Sequence, residues 1–243
     1  MFIGIGTVIN LIAILLGSVI GIVAGTKFPE RTRSLMTDVL GSITILGAAS
    51  AATALWSNDL TGAVPRGWPI LIILISLILG GLLGSVMRVE ARLEQWGTSL
   101  KQRFDSHGNS PFVQGFVTAS LVFAIGPLAI LGSISDGMGA GIDQLALKST
   151  LDFFASIAFA AAFGWGVAAS ALPVGIYQGL WTLAGVLLGT VLQPFQVAAM
   201  TATGAVLLFG IALKLLNVKS IRVGDLLPAL AIAPLFALLV SYF

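Results

Sequence analysis

Residues 153–213 read FFASIAFAAAFGWGVAASALPVGIYQGLWTLAGVLLGTVLQPFQVAAMTATGAVLLFGIAL and contain no charged side chain; the flanking charges are Asp152 and Lys214. At about 1.5 Å per helical residue this run covers roughly three bilayer cores of about 30 Å each. Pro173 and Pro194 divide it into three, because proline starts helices readily and breaks their interiors. The same character runs through all 243 residues, of which 57% are hydrophobic and 9% charged. A soluble domain carries roughly 25% charged residues. With so few charges, most of the exterior must face lipid. Long continuous apolar runs, not short alternating ones, read as helices and not as barrel strands. The expected fold is therefore an all-α polytopic transmembrane bundle.

Eight spans are expected: residues 3–25, 35–56, 68–87, 112–131, 149–171, 174–192, 197–216 and 226–242. A seven-span version without the break at Pro173 is the alternative. Lys27, Arg31 and Arg33 follow the first span; Arg88, Arg92, Lys101 and Arg103 follow the third; Lys214, Lys219 and Arg222 follow the seventh. With eight spans these basic loops share one side, while Arg66, Asp59, Asp136 and Asp143 occupy the other. The positive-inside rule then places both termini outside the cytoplasm. Residues 1–25 lack a basic leader and are too long for a signal peptide's apolar region, so they read as a retained span.

The chain reads as one transmembrane domain with four parts. Residues 1–88 form a first repeat, 89–110 a cytoplasmic interfacial helix and loop, 111–172 two central spans, and 173–243 a second repeat. In the interfacial segment Val89, Leu93, Trp96, Leu100 and Phe104 fall on one helical stripe, with charges expected on the opposite face. The lone His107 in the following loop reads as a solvated residue, since a metal site needs several ligands.

The repeat rests on a constant offset. Asn10, Gly17 and Gly21 match Gln178, Gly185 and Gly189, each 168 residues on (178 − 10, 185 − 17, 189 − 21). Gly41 and Gly47 match Gly204 and Gly210, 163 residues on (204 − 41, 210 − 47). Five crossings separate the first span from the sixth, so the two copies would run in opposite directions. Inverted repeats of this kind build many secondary transporters, with sites near the midplane.

Polar residues inside apolar helices then become the candidate pathway. Asn10 and Gln178 are amides that must find partners away from lipid. Gln114, Thr118 and Ser120 line the first half of the fourth span, and Gly126-Pro127 should kink or interrupt it, freeing carbonyls. Lys148 and Asp152 stand four apart at the head of the fifth span, a spacing that lets them pair. Asp152 is expected one turn inside the membrane as a proton- or cation-coupled carboxylate, with Asp136 nearby and Tyr177 beside Gln178. Asp225 reads as the N-cap of the last helix.

No catalytic constellation is present: there is one histidine, no cysteine, and no paired acids at catalytic spacing. No enzyme activity, cofactor or metal is expected. A net charge of +2 spread over short loops gives no nucleic-acid surface.

Several motifs resemble bacterial inner-membrane proteins of the YdfK and YqgA type. They are Thr7-Val-Ile-Asn10 with Gly17 and Gly21, Gly115-Phe-Val-Thr-Ala-Ser120, Ala129 to Gly137, Lys148-Ser-Thr-Leu-Asp152, Pro173 to Gly179, and Asn217 to Leu230. The resemblance covers nearly the whole chain and implies a multi-pass α-helical protein of the bacterial inner membrane. It implies little about function, because that family is filed as one of unknown function and sometimes described as transporters. The leading functional expectation is transport of a small solute or ion between the repeats. The alternative is a non-transporting scaffold or sensor acting through glycine-lined helix faces, which would also suit a homodimer.

Overall fold

The computed structural model describes residues 2–26, 28–104, 111–125, 127–188 and 192–243. All regular structure among the described residues is helical. In chain order the elements are α1 (Ile5–Gly25), α2 (Glu30–Ala52) with a 3-10 turn (Thr53–Trp56), α3 (Asn58–Ala63), α4 (Trp68–Met87) and α5 (Val89–Phe104). There follow α6 (Phe112–Ala124), α7 (Pro127–Gly137), α8 (Asp143–Phe163), α9 (Trp165–Ala169) and α10 (Ala171–Leu188). The chain closes with α11 (Pro194–Leu215), a 3-10 turn (Val223–Leu226) and α12 (Ala229–Val240).

Among the described residues, seven helical stretches are long and apolar enough to cross a bilayer. The pair α6 and α7, bent by 64° at its break, is an eighth candidate. Helix directions decide how often that pair crosses. A Cβ on Gly6 would meet Leu145, one on Gly17 the Phe153 carbonyl, one on Gly21 the Ile157 carbonyl, and one on Gly25 Ala161. Both sequences advance together, so α1 and α8 are parallel. Parallel spans need an odd number of crossings between them; α2 and α4 supply two, and the bent pair must supply the third. Elsewhere Gly80 abuts Ala229 and Gly84 abuts Asp225. That makes α4 antiparallel to the start of α12, which requires the same count. Eight spans satisfy both constraints.

The chain forms two compact units. The first comprises Met1–Leu40, Leu93–Ala124 and Leu128–Val191. Here α1 buries Gly6, Thr7, Asn10, Ile14, Gly17, Ser18, Gly21 and Gly25, a stripe at three- and four-residue spacing. Its other face exposes Val8, Ile12, Leu15, Val19 and Val23, as lipid contact requires. Small residues on the stripe let the backbones of α1 and α8 approach closely, the usual device where lipid removes the hydrophobic drive between helices. Arg33 Nη2 donates to the Gly25 carbonyl at 2.8 Å and closes the end of α1. Buried Phe112, Phe116 and Phe123 fill the space inside α6.

The second unit comprises Gly41–Arg92, Ile125–Pro127 and Leu192–Phe243. Leu60, Ile72, Ala199, Ala237 and Val240 form its core at one end. At the other end Glu90 accepts from Lys214 Nζ and from the Gly224 amide, both at 2.8 Å. Its own amide donates to Asp225 Oδ1 at 3.1 Å.

Three sequence expectations change. First, the division expected at Pro173 falls at Gly164, with φ 73° and ψ −148°, where α8 ends. Only glycine adopts that backbone readily, whereas Pro173 sits in the first turn of α10, where its missing N–H costs nothing. Second, α5 forms as expected, but Glu90 lies on its covered face at 4% exposure instead of the charged outer face. Lys214 and the Gly224 amide supply the partners that make this possible. Third, Asp225 caps the start of α5 through the Glu90 amide, not its own helix, since α12 begins after Pro228. His107 lies outside the described residues.

Candidate functional site: a buried polar cluster in the first unit

The break moved from Pro173 to Gly164 shifts α8 towards its N-terminus. Asp152 thereby becomes the tenth of the 21 residues of α8, about 14 Å along the axis. This is further along its helix than the head position expected from sequence. Lys148 stands one turn before it, and its Nζ lies 2.5 Å from Asp152 Oδ2. Both side chains are buried. Lys148 Nζ also sits 5.9 Å from the centroid of the Phe123 ring on α6, within cation–π range.

Asn10 on α1 completes the arrangement. Its Nδ2 donates to Asp152 Oδ2 at 3.0 Å and to Gln178 Oε1 of α10 at 3.3 Å. A carboxylate accepts only, so Asp152 fixes which end of the Asn10 amide faces it. Both N–H groups of Asn10 are then used, and Gln178 must turn its carbonyl to Asn10 and its NH₂ away. The result is asymmetric. Asn10 Oδ1 and Gln178 Nε2 are buried and have no hydrogen-bond partner among the described residues, and both residues are 0% exposed.

The cluster continues in both directions. Towards the start of α1, Thr7 Oγ1 and Thr182 Oγ1 are 3.5 Å apart. Deeper in, Ser18 on α1 and Ser156 on α8 carry buried hydroxyls without a partner among the described residues. Helical serines normally bond a carbonyl on the preceding turn. Ser120, Ser133 and Ser149 do so, to Phe116, Ala129 and Leu145 at 2.6, 2.7 and 2.6 Å. Ser18 and Ser156 do not. Each unpaired group in such an interior costs about 1–3 kcal/mol, and four of them gather around α1, on α1, α8 and α10.

The remaining sequence candidates divide. Asp136 accepts from the Gly4 and Gly6 amides at 3.2 and 2.9 Å and so anchors the head of α1. Thr118 is buried on α6, and Ser120 spends its hydroxyl on its own helix. Gln114 is exposed on α6 and stands apart from the cluster. Pro127 opens α7, and Gly126 lies outside the described residues. Tyr177 is half-buried and sets its ring edge against Trp181, with centroids 6.3 Å apart. Ser18 and Ser156 escaped the sequence reading. The available signal was their spacing, eight residues after Asn10 and four after Asp152 on the same faces.

Gly17, Gly21, Gly80, Gly84 and Gly185 pack against other helices of the same chain, and Gly189 lies outside the described residues. A Cβ on Gly185 would strike the Ile134 carbonyl, just as one on Gly17 would strike Phe153. A recess of about 380 Å³ in the second unit is lined by apolar side chains such as Ile45, Ala48, Ala202 and Phe209. It suits hydrocarbon and offers a polar solute nothing. Among the described residues no group of acidic, histidine or cysteine side chains has the makings of a metal site.

Comparison with known proteins agrees with this architecture. A family described as "Protein of unknown function (DUF554)" matches residues 5–238. "Uncharacterized membrane protein YdfK" of Bacillus subtilis is 30% identical over 239 residues, covering 98% of this chain and 97% of that one. "Uncharacterized protein YqgA" of Escherichia coli is 29% identical over 244 residues, covering 98% and 99%. No solved structure matches the chain. The polytopic helical fold and the end-to-end match together assign the protein: it belongs to the DUF554 family of membrane proteins.

Proposed function

We propose that this protein moves a small solute or ion across the bacterial inner membrane, along a polar track between α1, α8 and α10. The observation that carries the proposal is the unfinished hydrogen bonding at the cluster. Asn10 Nδ2 is doubly committed, while Asn10 Oδ1 and Gln178 Nε2 remain open in a water-poor interior. Buried polar groups in native folds are almost always paired, and unpaired ones inside a membrane mark pathways and binding sites.

An inverted repeat of spans one to three and six to eight fits the same picture. Asn10 and Gln178, equivalent under the offset of 168, touch each other. Equivalent residues that touch would lie beside the pseudo-twofold axis of such a repeat, and the repeat interface is where transport sites occur. The antiparallel approach of α4 to the start of α12 is likewise what equivalent third spans require. Basic loops after spans one, three and seven orient both termini outward. The work is non-enzymatic on this reading, and needs no cofactor.

The test is flux of labelled ions and small metabolites into proteoliposomes holding the wild type, Asp152→Asn or Asn10→Ala. Wild-type flux that drops in both variants is the expected result. A broad panel with no flux, or flux indifferent to both changes, rejects the proposal.

A further inference from the structure

The ion pair has a consequence beyond lining a path. Buried ion pairs are poor stabilisers, because taking two charges out of water costs about as much as their attraction returns. Stability alone gives no reason to keep Lys148 and Asp152 in the middle of a spanning helix. In position, however, the Lys148 ammonium is a tethered cation seated on the Asp152 carboxylate. Any soluble cation that uses this carboxylate must compete with it.

Few other charges are available to relax that competition. On α8 the buried charges are Lys148 and Asp152, and Asp143 at its start is exposed. α1 presents the neutral Thr7 and Asn10, α10 presents Gln178 and Thr182, and α6 presents the Phe123 ring. Asp136 on α7 is the one further buried acid of the unit among the described residues, and the Gly4 and Gly6 amides hold it. Two cations on one carboxylate at such short range, screened by little water, repel strongly. The incoming ion therefore stays only if Lys148 gives up its charge.

We infer that the cluster exchanges one alkali cation for one proton, with Asp152 as the cation ligand and Lys148 as the proton carrier. An N–H bond of the Lys148 ammonium breaks, the nitrogen keeps the electron pair, and the proton leaves to water. The cation takes the vacated side of the Asp152 carboxylate, with the open Asn10 Oδ1 as a further oxygen ligand. One positive charge enters and one leaves, so the step is electroneutral. A divalent ion would leave one charge uncompensated and is disfavoured. The inference rests on the transport reading above and narrows its cargo.

The experiment loads proteoliposomes with a pH-sensitive dye, imposes an acid interior and adds sodium, potassium or lithium chloride outside. The wild type should discharge the gradient with at least one of these ions, equally well when the membrane potential is clamped at zero. Asp152→Asn should fall to the level of protein-free vesicles. Lys148→Ala should still admit the cation but without proton exit, and its uptake should become sensitive to membrane potential. Proton exchange retained in Lys148→Ala overturns the role of Lys148. Absence of alkali-driven proton movement in the wild type, alongside Asp152-dependent flux of some other solute, rejects the exchange and leaves transport standing. No flux of any kind rejects both. Should the variants fail to fold, thermal stabilisation of the wild type by the active cation decides the matter. It should grow as pH rises, because cation and proton compete for one cluster; stabilisation independent of pH overturns the inference.

Discussion

Lys148 and Asp152 are paired one helical turn apart, Nζ to Oδ2 at 2.5 Å, with side-chain exposures of 7% and 9%. Removing one partner leaves an uncompensated charge in a water-poor interior, whereas replacing both with apolar residues of similar size removes the charge problem altogether. Lys148→Met or Asp152→Leu alone should therefore cost about 3–5 kcal/mol, and the double variant should recover most of it. Thermal unfolding in detergent measures this. A double variant as unstable as the sum of the singles would show that the pair holds the fold together. Coupled proton exchange should be absent from all three.

Asn10 and Gln178 should be energetically coupled. A double-mutant cycle of Asn10→Ala and Gln178→Ala is expected to give about 0.5–2 kcal/mol, the range for interhelical hydrogen bonds in membranes. Strict additivity in unfolding measurements would contradict the 3.3 Å bond between them.

Glycines in the spans should respond in opposite ways. A Cβ at Gly21 meets the Ile157 backbone and Ala160 of α8, while one at Gly47 meets nothing within 4 Å. Gly21→Ala should destabilise by about 1–3 kcal/mol through overpacking. Gly47→Ala should be neutral or stabilising by about 0.5–1 kcal/mol, because alanine loses less backbone entropy in a helix. Equal effects at both sites would refute the close approach of α1 to α8.

Glu90 should behave as a structural tie. Glu90→Ala strips Lys214 and the Gly224 amide of their acceptor, and should lower stability by about 3–5 kcal/mol. Transport per folded molecule should persist, since the cluster lies in the other unit. Folded, stable Glu90→Ala protein without transport would assign Glu90 to the pathway.

Orientation can be read directly, because the chain has no cysteine. Thr98→Cys on α5 and Asp59→Cys on α3 each place one thiol at an exposed position. A membrane-impermeant maleimide applied to intact cells should label the Asp59 position, and the Thr98 position only after permeabilisation. The reverse pattern would invert the topology.

The helical membrane fold was legible in the letters because lipid imposes so narrow a rule. Every crossing needs a long apolar helix with its backbone bonds made internally. The bounds of α4 match the expected third span residue for residue. Boundaries shifted where glycine and proline compete. Gly164 takes a backbone conformation that no periodicity reveals, and Pro173 tolerates a first turn as well as a break. Glu90 was unreadable for a related reason. A single glutamate on a charged, amphipathic helix carries no mark of facing inward, and its partners Lys214 and Gly224 lie far along the chain.

The cluster shows the same division more sharply. From sequence alone came Asn10, Lys148, Asp152 and Gln178, since amides and charges in apolar helices are costly and stand out against their neighbours; the quieter Ser18 and Ser156 did not. What they do to one another was decided only by the tertiary structure. Asn10, Lys148, Asp152 and Gln178 come from three helices, and hydrogen bonds act over about 3 Å. No spacing along the chain foretells that one amide nitrogen will serve two acceptors and leave a donor and an acceptor open beside them.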